Sequence, residues 1–332
     1  MIASGGSSGV RAPLVDPQGR RISYLRLSLT DRCNFRCSYC SPGLETALGD
    51  ALDRPAIQRL VALFAAMGIR RVRLTGGEPT LRRDVVEVVE DIHATPGIEE
   101  VALTTNGHRL EELAGPLRRA GLRQLNVSFD TFDGARLERL SGRAADVERI
   151  RRGIAAAAAA GYPSLKINTV VLRGVNDGEL GDVARFAWRY GAIARYIELM
   201  PFGGGVPVSV AEMQALLEAQ GVRLEPDDTR GWGPARHMRG SSTQDGRRVV
   251  GLLGFIGALT ENFCGDCNRV RVSAAGALRA CLGGRDEVPL AELLRAGTDD
   301  EVEAAIREGL SRKRDRHHME DESFETMVRI GG

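Results

Sequence analysis

Six short apolar runs alternate with helical patterns along the first part of the chain, and this alternation constrains the fold more than any other feature. The strand-like runs are Ile22–Leu29, Val72–Thr75, Val101–Thr104, Gln124–Ser128, Lys166–Val171 and Tyr196–Leu199, each bounded by Gly, Asn or Asp. Between them, apolar residues recur with helical spacing over Ala56–Met67, Asp84–His93, Leu110–Ala120, Asp146–Ala160 and Leu180–Tyr190. Gly68, Gly121, Gly161 and Gly191 follow four of these segments, where helix stops belong. Strands that alternate with helices form a parallel sheet. Six such units fall short of the eight in a closed barrel, so the pattern predicts an α/β fold, a partial, open (β/α)6 barrel of the TIM type.

The rhythm breaks after Pro201. Glycines mark a linker there, and a helix-like stretch over Val210–Gln220 follows. Residues 227–248 read as a Gly-, Asp- and Arg-rich loop. Beyond them lie Val249–Ile256, a cysteine-bearing region and a helical tail. The predicted division is a flexible leader over residues 1–20, a barrel over 21–205, and an extension over 206–332 that closes the barrel mouth. With 43% hydrophobic and 27% charged residues the chain can build a sizeable core. A net charge of +1 gives no field that would draw it to nucleic acid or an anionic membrane. No apolar run is long enough to span a bilayer, and the Gly/Ser-rich start lacks the layout of an export signal. Together these predict a cytoplasmic protein. Only Lys166 and Lys313 are lysines.

All six cysteines fall into two triads. Cys33, Cys37 and Cys40 are spaced C-x3-C-x2-C just past the first strand. Cys264, Cys267 and Cys281 are spaced C-x2-C-x13-C. Clustered cysteines without an export signal favour reduced, metal-binding thiols. Three cysteines can hold a four-iron cluster and leave one iron open to another ligand. A zinc site normally takes four ligands. No histidine precedes His93, which argues against zinc at the first triad. At the second, His237, His317 or His318 would complete a Cys3His zinc site, and that alternative stands.

The first cysteine loop resembles the signature of the radical S-adenosylmethionine (SAM) superfamily. Thr75-Gly76-Gly77-Glu78-Pro79, at the end of the second strand, resembles that superfamily's glycine-rich strand. The run Phe263-Cys264-x-x-Cys267-Asn268-Arg269-Val270-Arg271, then Cys281-Leu282, is similar to the molybdenum cofactor biosynthesis family of GTP 3′,8-cyclases. That similarity runs from about Tyr24 to the terminal Gly331-Gly332. It implies two [4Fe-4S] clusters, one on Cys33, Cys37 and Cys40 with SAM on its open iron. The other, on Cys264, Cys267 and Cys281, would have the guanine of GTP on its open iron. It also implies SAM contacts at Tyr39, Gly77, Ser128 and Met200. GTP contacts fall on Arg26, Arg73, Thr104, Lys166, Arg269, Val270 and Arg271, with Gly331 and Gly332 on a tail reaching the site. The implied reaction begins with loss of the ribose 3′-hydrogen to a SAM-derived radical and closes a bond to guanine C8. An external electron donor, a downstream cyclic pyranopterin synthase and a homodimer follow from the same resemblance. One departure is Ser41-Pro42, which leads into a shorter stretch than the family's.

Part of this set has independent physical support. Arg269 and Arg271 are two apart, so on an extended segment both guanidinium groups face one way, and planar forks suit a triphosphate. Arg26 and Arg73 interrupt apolar strands; facing inward they require partners, although alternation permits them to face outward. Thr104, Ser128, Met200 and Tyr39 take their weight from position alone, since strand ends are where barrel enzymes place their sites. Two alternatives differ in class: another radical SAM enzyme with one auxiliary cluster and a different substrate, or a zinc-bound or RNA-binding module without catalysis. The second leaves Thr75–Pro79 unexplained.

Overall fold

Two faces of one sheet, unlike in chemistry, organise this protein. The computed structural model describes residues 11–40, 51–201, 204–229, 233–261, 263–284 and 286–317. The first six strands are β1 (Tyr24–Ser28), β2 (Arg71–Thr75), β3 (Glu100–Thr105), β4 (Gln124–Ser128), β5 (Ser164–Val171) and β6 (Ile193–Glu198). Between them lie α1 (Arg54–Ala66), α2 (Val85–Ala94), α3 (Leu110–Arg119), α4 (Gly134–Ser141), α5 (Val147–Ala159) and α6 (Leu180–Arg189). Alternate residues of a strand face opposite ways. Leu25, Leu27, Val72, Leu74, Leu125, Val127 and Ile167 pack into the main core with the helices. Arg26, Arg73, Asn126, Ser128 and Lys166, from the alternate positions, line the inner cavity.

Every predicted strand and helix of this segment forms, with ends moved by no more than three residues. All four glycines at the helix stops have positive φ, from 64° at Gly191 to 101° at Gly121. Asp53 caps α1, its side chain accepting from Ala56 N at 2.9 Å. The unpredicted element is α4, whose N-cap Asp133 sits in Phe132-Asp133-Gly134, a sequence that also reads as a turn.

Beyond β6 come α7 (Val210–Ala219), β7 (Arg223–Pro226), β8 (Arg236–Gln244), β9 (Arg247–Ile256), β10 (Arg269–Val272), β11 (Ala277–Arg279), β12 (Val288–Pro289), α8 (Ala291–Ala296) and α9 (Asp299–Ser311). The predicted loop over 227–248 is corrected here, because most of it is β8 and its hairpin turn into β9. Asp245 and Gly246 sit at φ 50° and 72°, the left-handed pair of a tight two-residue hairpin. The Asp-Gly dipeptide carried that signal.

One sheet holds all twelve strands, in the order β12-β11-β10-β1-β2-β3-β4-β5-β6-β9-β8-β7. β10 runs parallel to β1 and β9 parallel to β6, so the extension lengthens the parallel sheet at both edges. Eight strands then run parallel, yet the described sheet stays open. Between the end of β9 and the start of β10 the chain passes from one side of the sheet to the other. Among the described residues, no helix is long and apolar enough to cross a membrane.

Candidate functional site

The first cysteine triad follows the C-terminal end of β1 and is anchored on four sides. Arg36 N and Ser38 N donate to the carbonyls of Ser141 and Leu140 at the end of α4, at 2.6 and 2.9 Å. Asn106 Nδ2, after β3, donates to Asn34 Oδ1 at 2.8 Å. The glycine pair after β2 supplies the third support. Gly77 N donates to Thr30 O at 2.7 Å, and Glu78 N donates to Arg32 O at 2.8 Å. A Cβ on Gly77 would stand 2.3 Å from Arg32 O, so the missing side chain admits the chain's own cysteine loop. Glu78 is buried and accepts from Thr80 N, Thr105 Oγ1 and Asn106 N, tying the ends of β2 and β3 together. Tyr39 donates its hydroxyl to Asp130 Oδ2 at 2.5 Å, linking the loop to the end of β4. Burial pushes Cys33 up to about 11 and Cys37 well above the usual thiol range, so deprotonation there needs a compensating metal.

The second triad lies at the opposite end of the strands. Tyr24, the first residue of β1, is the register partner of Arg269, and Cys264 and Cys267 precede Arg269. Cys281 follows β11, which returns antiparallel to β10. Asn268 O accepts from Ser23 N and Tyr24 N at 3.1 and 3.2 Å and holds this crossover at the N-terminal end of β1. Buried Glu198, at the end of β6, accepts from Leu259 N and Thr260 N at 2.8 and 3.0 Å. The crossover thus runs from the C-terminal ends of the strands, where β6 and β9 finish, to the N-terminal end of β1, and it leaves the second triad about one strand length from the first, on the order of 16 Å for five residues.

None of the six cysteines forms a disulfide, and both triads line one cavity of about 380 Å³. The donor set is sulfur throughout, three per site, which suits a cluster that keeps one metal open. Among the described residues no three Cys, His, Asp or Glu side chains converge closely enough to hold a single ion. Of the histidines that would complete a zinc site, His237 pairs through Nδ1 with Thr229 O and His317 through Nε2 with Ala258 O, each at 2.9 Å, and each keeps its second ring nitrogen for a metal. His318 lies outside the described residues. Burial alone would raise Cys267, but Arg269 and Lys313 bring it down to about 7.

Between the triads the cavity wall is cationic. Arg26 on β1, Arg71 and Arg73 on β2, Lys166 on β5, Arg195 on β6, and Arg269 and Arg271 on β10 all line it. Arg26 is the register partner of both Arg73 and Arg271, so three guanidinium groups share one rung. Arg73 gives three of its five donors to neutral groups, Tyr24 Oη, Thr104 Oγ1 at 3.2 Å, and Gln124 Oε1. Arg269 stacks on Phe263, its Cζ 5.0 Å from the ring centre. Burial, then the charges of Arg195 and Arg73, lowers Lys166 to about 7. Burial likewise lowers Arg26 to about 10 and Arg195 to about 9. Desolvated cations that repel one another around one cavity suit a multiply charged anion.

Tyr39, Gly77, Ser128, Met200 and Thr104 line the same cavity, and the outward alternative for Arg26 and Arg73 does not hold. Val270 points the other way, into the core, and its side chain does not reach the cavity. Gly331, Gly332 and the Ser41-Pro42 departure lie outside the described residues. Sequence reasoning missed Arg71 and Arg195. Arg71 is two residues from Arg73 and so faces the same way, a signal that was available. Arg195 Nε is buried with no partner among the described residues, as are Asn126 Oδ1 and Asn168 Oδ1. Lys313, the second of two lysines, was also passed over.

Comparison with known proteins places the chain in a family. The Radical SAM superfamily model matches residues 27–187, and the Molybdenum Cofactor Synthesis C model matches residues 192–319. The chain is 41% identical to the GTP 3′,8-cyclase of Heliobacterium modesticaldum over 334 residues, covering 96% of this chain and all of that one. It is 40% identical to that of Geobacter sulfurreducens, covering 96% of this chain and 99% of the relative. In three dimensions it is similar to Streptococcus suis SuiB bound to its precursor peptide SuiA, with TM-score 0.63, 13% identity, and coverage of 92% of this chain and 75% of that one. SuiB bound to S-adenosylmethionine matches with TM-score 0.58, 13% identity, and coverage of 92% and 74%. These two show the fold alone. On the sequence relatives, which are matched along almost their entire length, the chain belongs to the GTP 3′,8-cyclase family of radical SAM enzymes.

Proposed function

We propose that this chain is a GTP 3′,8-cyclase, forming 3′,8-cyclo-7,8-dihydro-GTP for molybdenum cofactor biosynthesis in the cytoplasm. One observation carries the reading: a single cavity has a cysteine triad at each end and a cationic wall between them. Cys33, Cys37 and Cys40 would hold a [4Fe-4S] cluster, and Cys264, Cys267 and Cys281 a second. SAM, bound at the first cluster, supplies the radical chemistry. Tyr39, Gly77, Ser128 and Met200 would seat SAM at the C-terminal end of the strands. The guanidinium groups of Arg26, Arg73, Arg269 and Arg271, with Thr104 and the Lys166 ammonium, would bind the triphosphate. Arg71 and Arg195 share that wall and join them; Val270 would contribute only its backbone. Residues 206–332, with the Gly331-Gly332 tail, would close the cavity that residues 21–205 open, keeping water from the reacting carbon, and residues 1–20 would serve as a leader. An external electron donor, a cyclic pyranopterin synthase acting on the product, and a second copy of the chain complete the reading.

The test is anaerobic reconstitution with iron and sulfide, then dithionite, SAM and GTP, with products read by mass spectrometry. GTP-dependent 5′-deoxyadenosine and a cyclised nucleotide are the expected products. Absence of both, or zinc as the sole metal of anaerobically purified protein, would overturn the proposal. In the double variant Arg269→Ala, Arg271→Ala, GTP affinity should fall at least tenfold, two charge-assisted contacts being lost, while iron content is unchanged. Unaltered affinity would remove both from the triphosphate site.

A further inference from the structure

Lys313 follows α9 and is buried, only 3% exposed. Its Nζ has three neighbours: Cys267 Sγ at 3.7 Å, Arg269 O at 2.9 Å and Ala280 O at 2.6 Å. An ammonium carries three N–H donors and no acceptor, so each donor has one partner. The partners lie on the crossover, on β10 and on the residue before Cys281. One side chain therefore draws together the pieces of chain that carry the second triad.

None of the three acceptors is a carboxylate. A buried cation is costly without an anion, and the group at hand that becomes anionic on binding metal is the Cys267 sulfur. Arg20 makes a useful contrast. Its Nη1 donates to Cys264 O at 2.6 Å and to Asp315 O at 3.2 Å, and its Nη2 donates to Arg314 O at 2.7 Å. It ties the crossover to the stretch after α9 through their carbonyls, and none of its bonds goes to sulfur.

We propose that Lys313 is a positioning residue of the second triad, one that donates to the Cys267 sulfur and makes an iron–sulfur cluster held there easier to reduce. The inference rests on the reading of the second triad as a cluster site. Reduction adds one electron to the cluster, here from dithionite, and a fixed cation hydrogen-bonded to a ligand sulfur stabilises the more negative state.

The test uses the full chain with Cys33→Ala, Cys37→Ala and Cys40→Ala, so that iron binds at the second triad alone. After anaerobic reconstitution, iron content is measured and the cluster is titrated with dithionite under electron paramagnetic resonance. Lys313→Met should retain iron while the equilibrium constant for reduction falls about tenfold, equivalent to about 59 mV for one electron. Lys313→Arg should stay near the parent. Arg20→Met should keep the parent potential even where it lowers the unfolding midpoint. A parent-like potential in Lys313→Met would overturn the inference, as would an equal shift in Arg20→Met. If Lys313→Met takes up no iron, Lys313→Arg decides: iron with the parent potential supports the role of the charge, and loss of iron in both counts against it. Absence of iron in the parent itself would sink the second-cluster reading instead, and that is seen before position 313 is changed.

Discussion

Under the proposed function, the burial of Lys166 sets a binding property. With its ammonium brought down to about 7, the free protein loses that charge as pH rises through neutrality. A triphosphate placed against it favours the charged form. Binding above pH 7 should therefore take up roughly one proton, and affinity should fall with rising pH, by roughly tenfold per unit at the steepest. Calorimetry of GTP binding at pH 8 in two buffers of different ionisation heat reads the uptake directly. Lys166→Met should bind more weakly at pH 7 and lose the uptake; uptake that persists in the variant would assign the proton elsewhere. The sign for folding is opposite to that for binding. Between about 7 and the ordinary 10.5 the unfolded chain holds this proton more readily, so the group costs stability below 7 and the cost is relieved as pH rises.

At the scale of elements, the glycine pair after β2 shows what pattern reading can and cannot reach. Thr75–Pro79 was recognisable as a motif, but its glycines are small because Arg32 and Thr30 press on them from the cysteine loop. Gly77→Ala should push that loop away, cost about 1–3 kcal/mol by overpacking, and strip iron from the first triad while the second keeps its own. Iron content and denaturant unfolding check this; full iron content would refute it. The strands, the helices and both triads were legible because each depends on local spacing. The α4 helix that supports the first triad was not, because its cap also reads as a turn. The pairing of β9 with β6 and of β10 with β1 was not legible either, because strand neighbours far apart in sequence leave no periodic trace. The same blindness hid Arg195 and Lys313, single residues whose partners come from other parts of the chain.

The whole molecule depends on the crossover from β9 to β10, which carries two of the second triad's cysteines between the two sides of an open sheet. Glu198 is its fastening at the β6 side. Glu198→Ala leaves the amides of Leu259 and Thr260 without their acceptor and should cost about 1.5–3 kcal/mol. Iron should be lost from the second triad and kept at the first, as read by iron analysis and cluster spectra. Glu198→Gln, which keeps an acceptor oxygen, should fall between. Equal iron loss at both triads would mean that the crossover is not an independent unit.

The late arrival of β10 bears on how the chain assembles. Its partner β1 is made near the start of synthesis, and the hydrogen-bonding edge that β10 fills at Tyr24–Leu27 stays bare until residues 269–272 emerge. Pairings so distant in sequence form slowly. The first cysteine loop is complete by Cys40, while the second waits for Cys281 and, with it, for Lys313. A nascent chain is thus exposed along β1 for most of its synthesis, and any iron delivered early meets the first cysteine triad before the second exists.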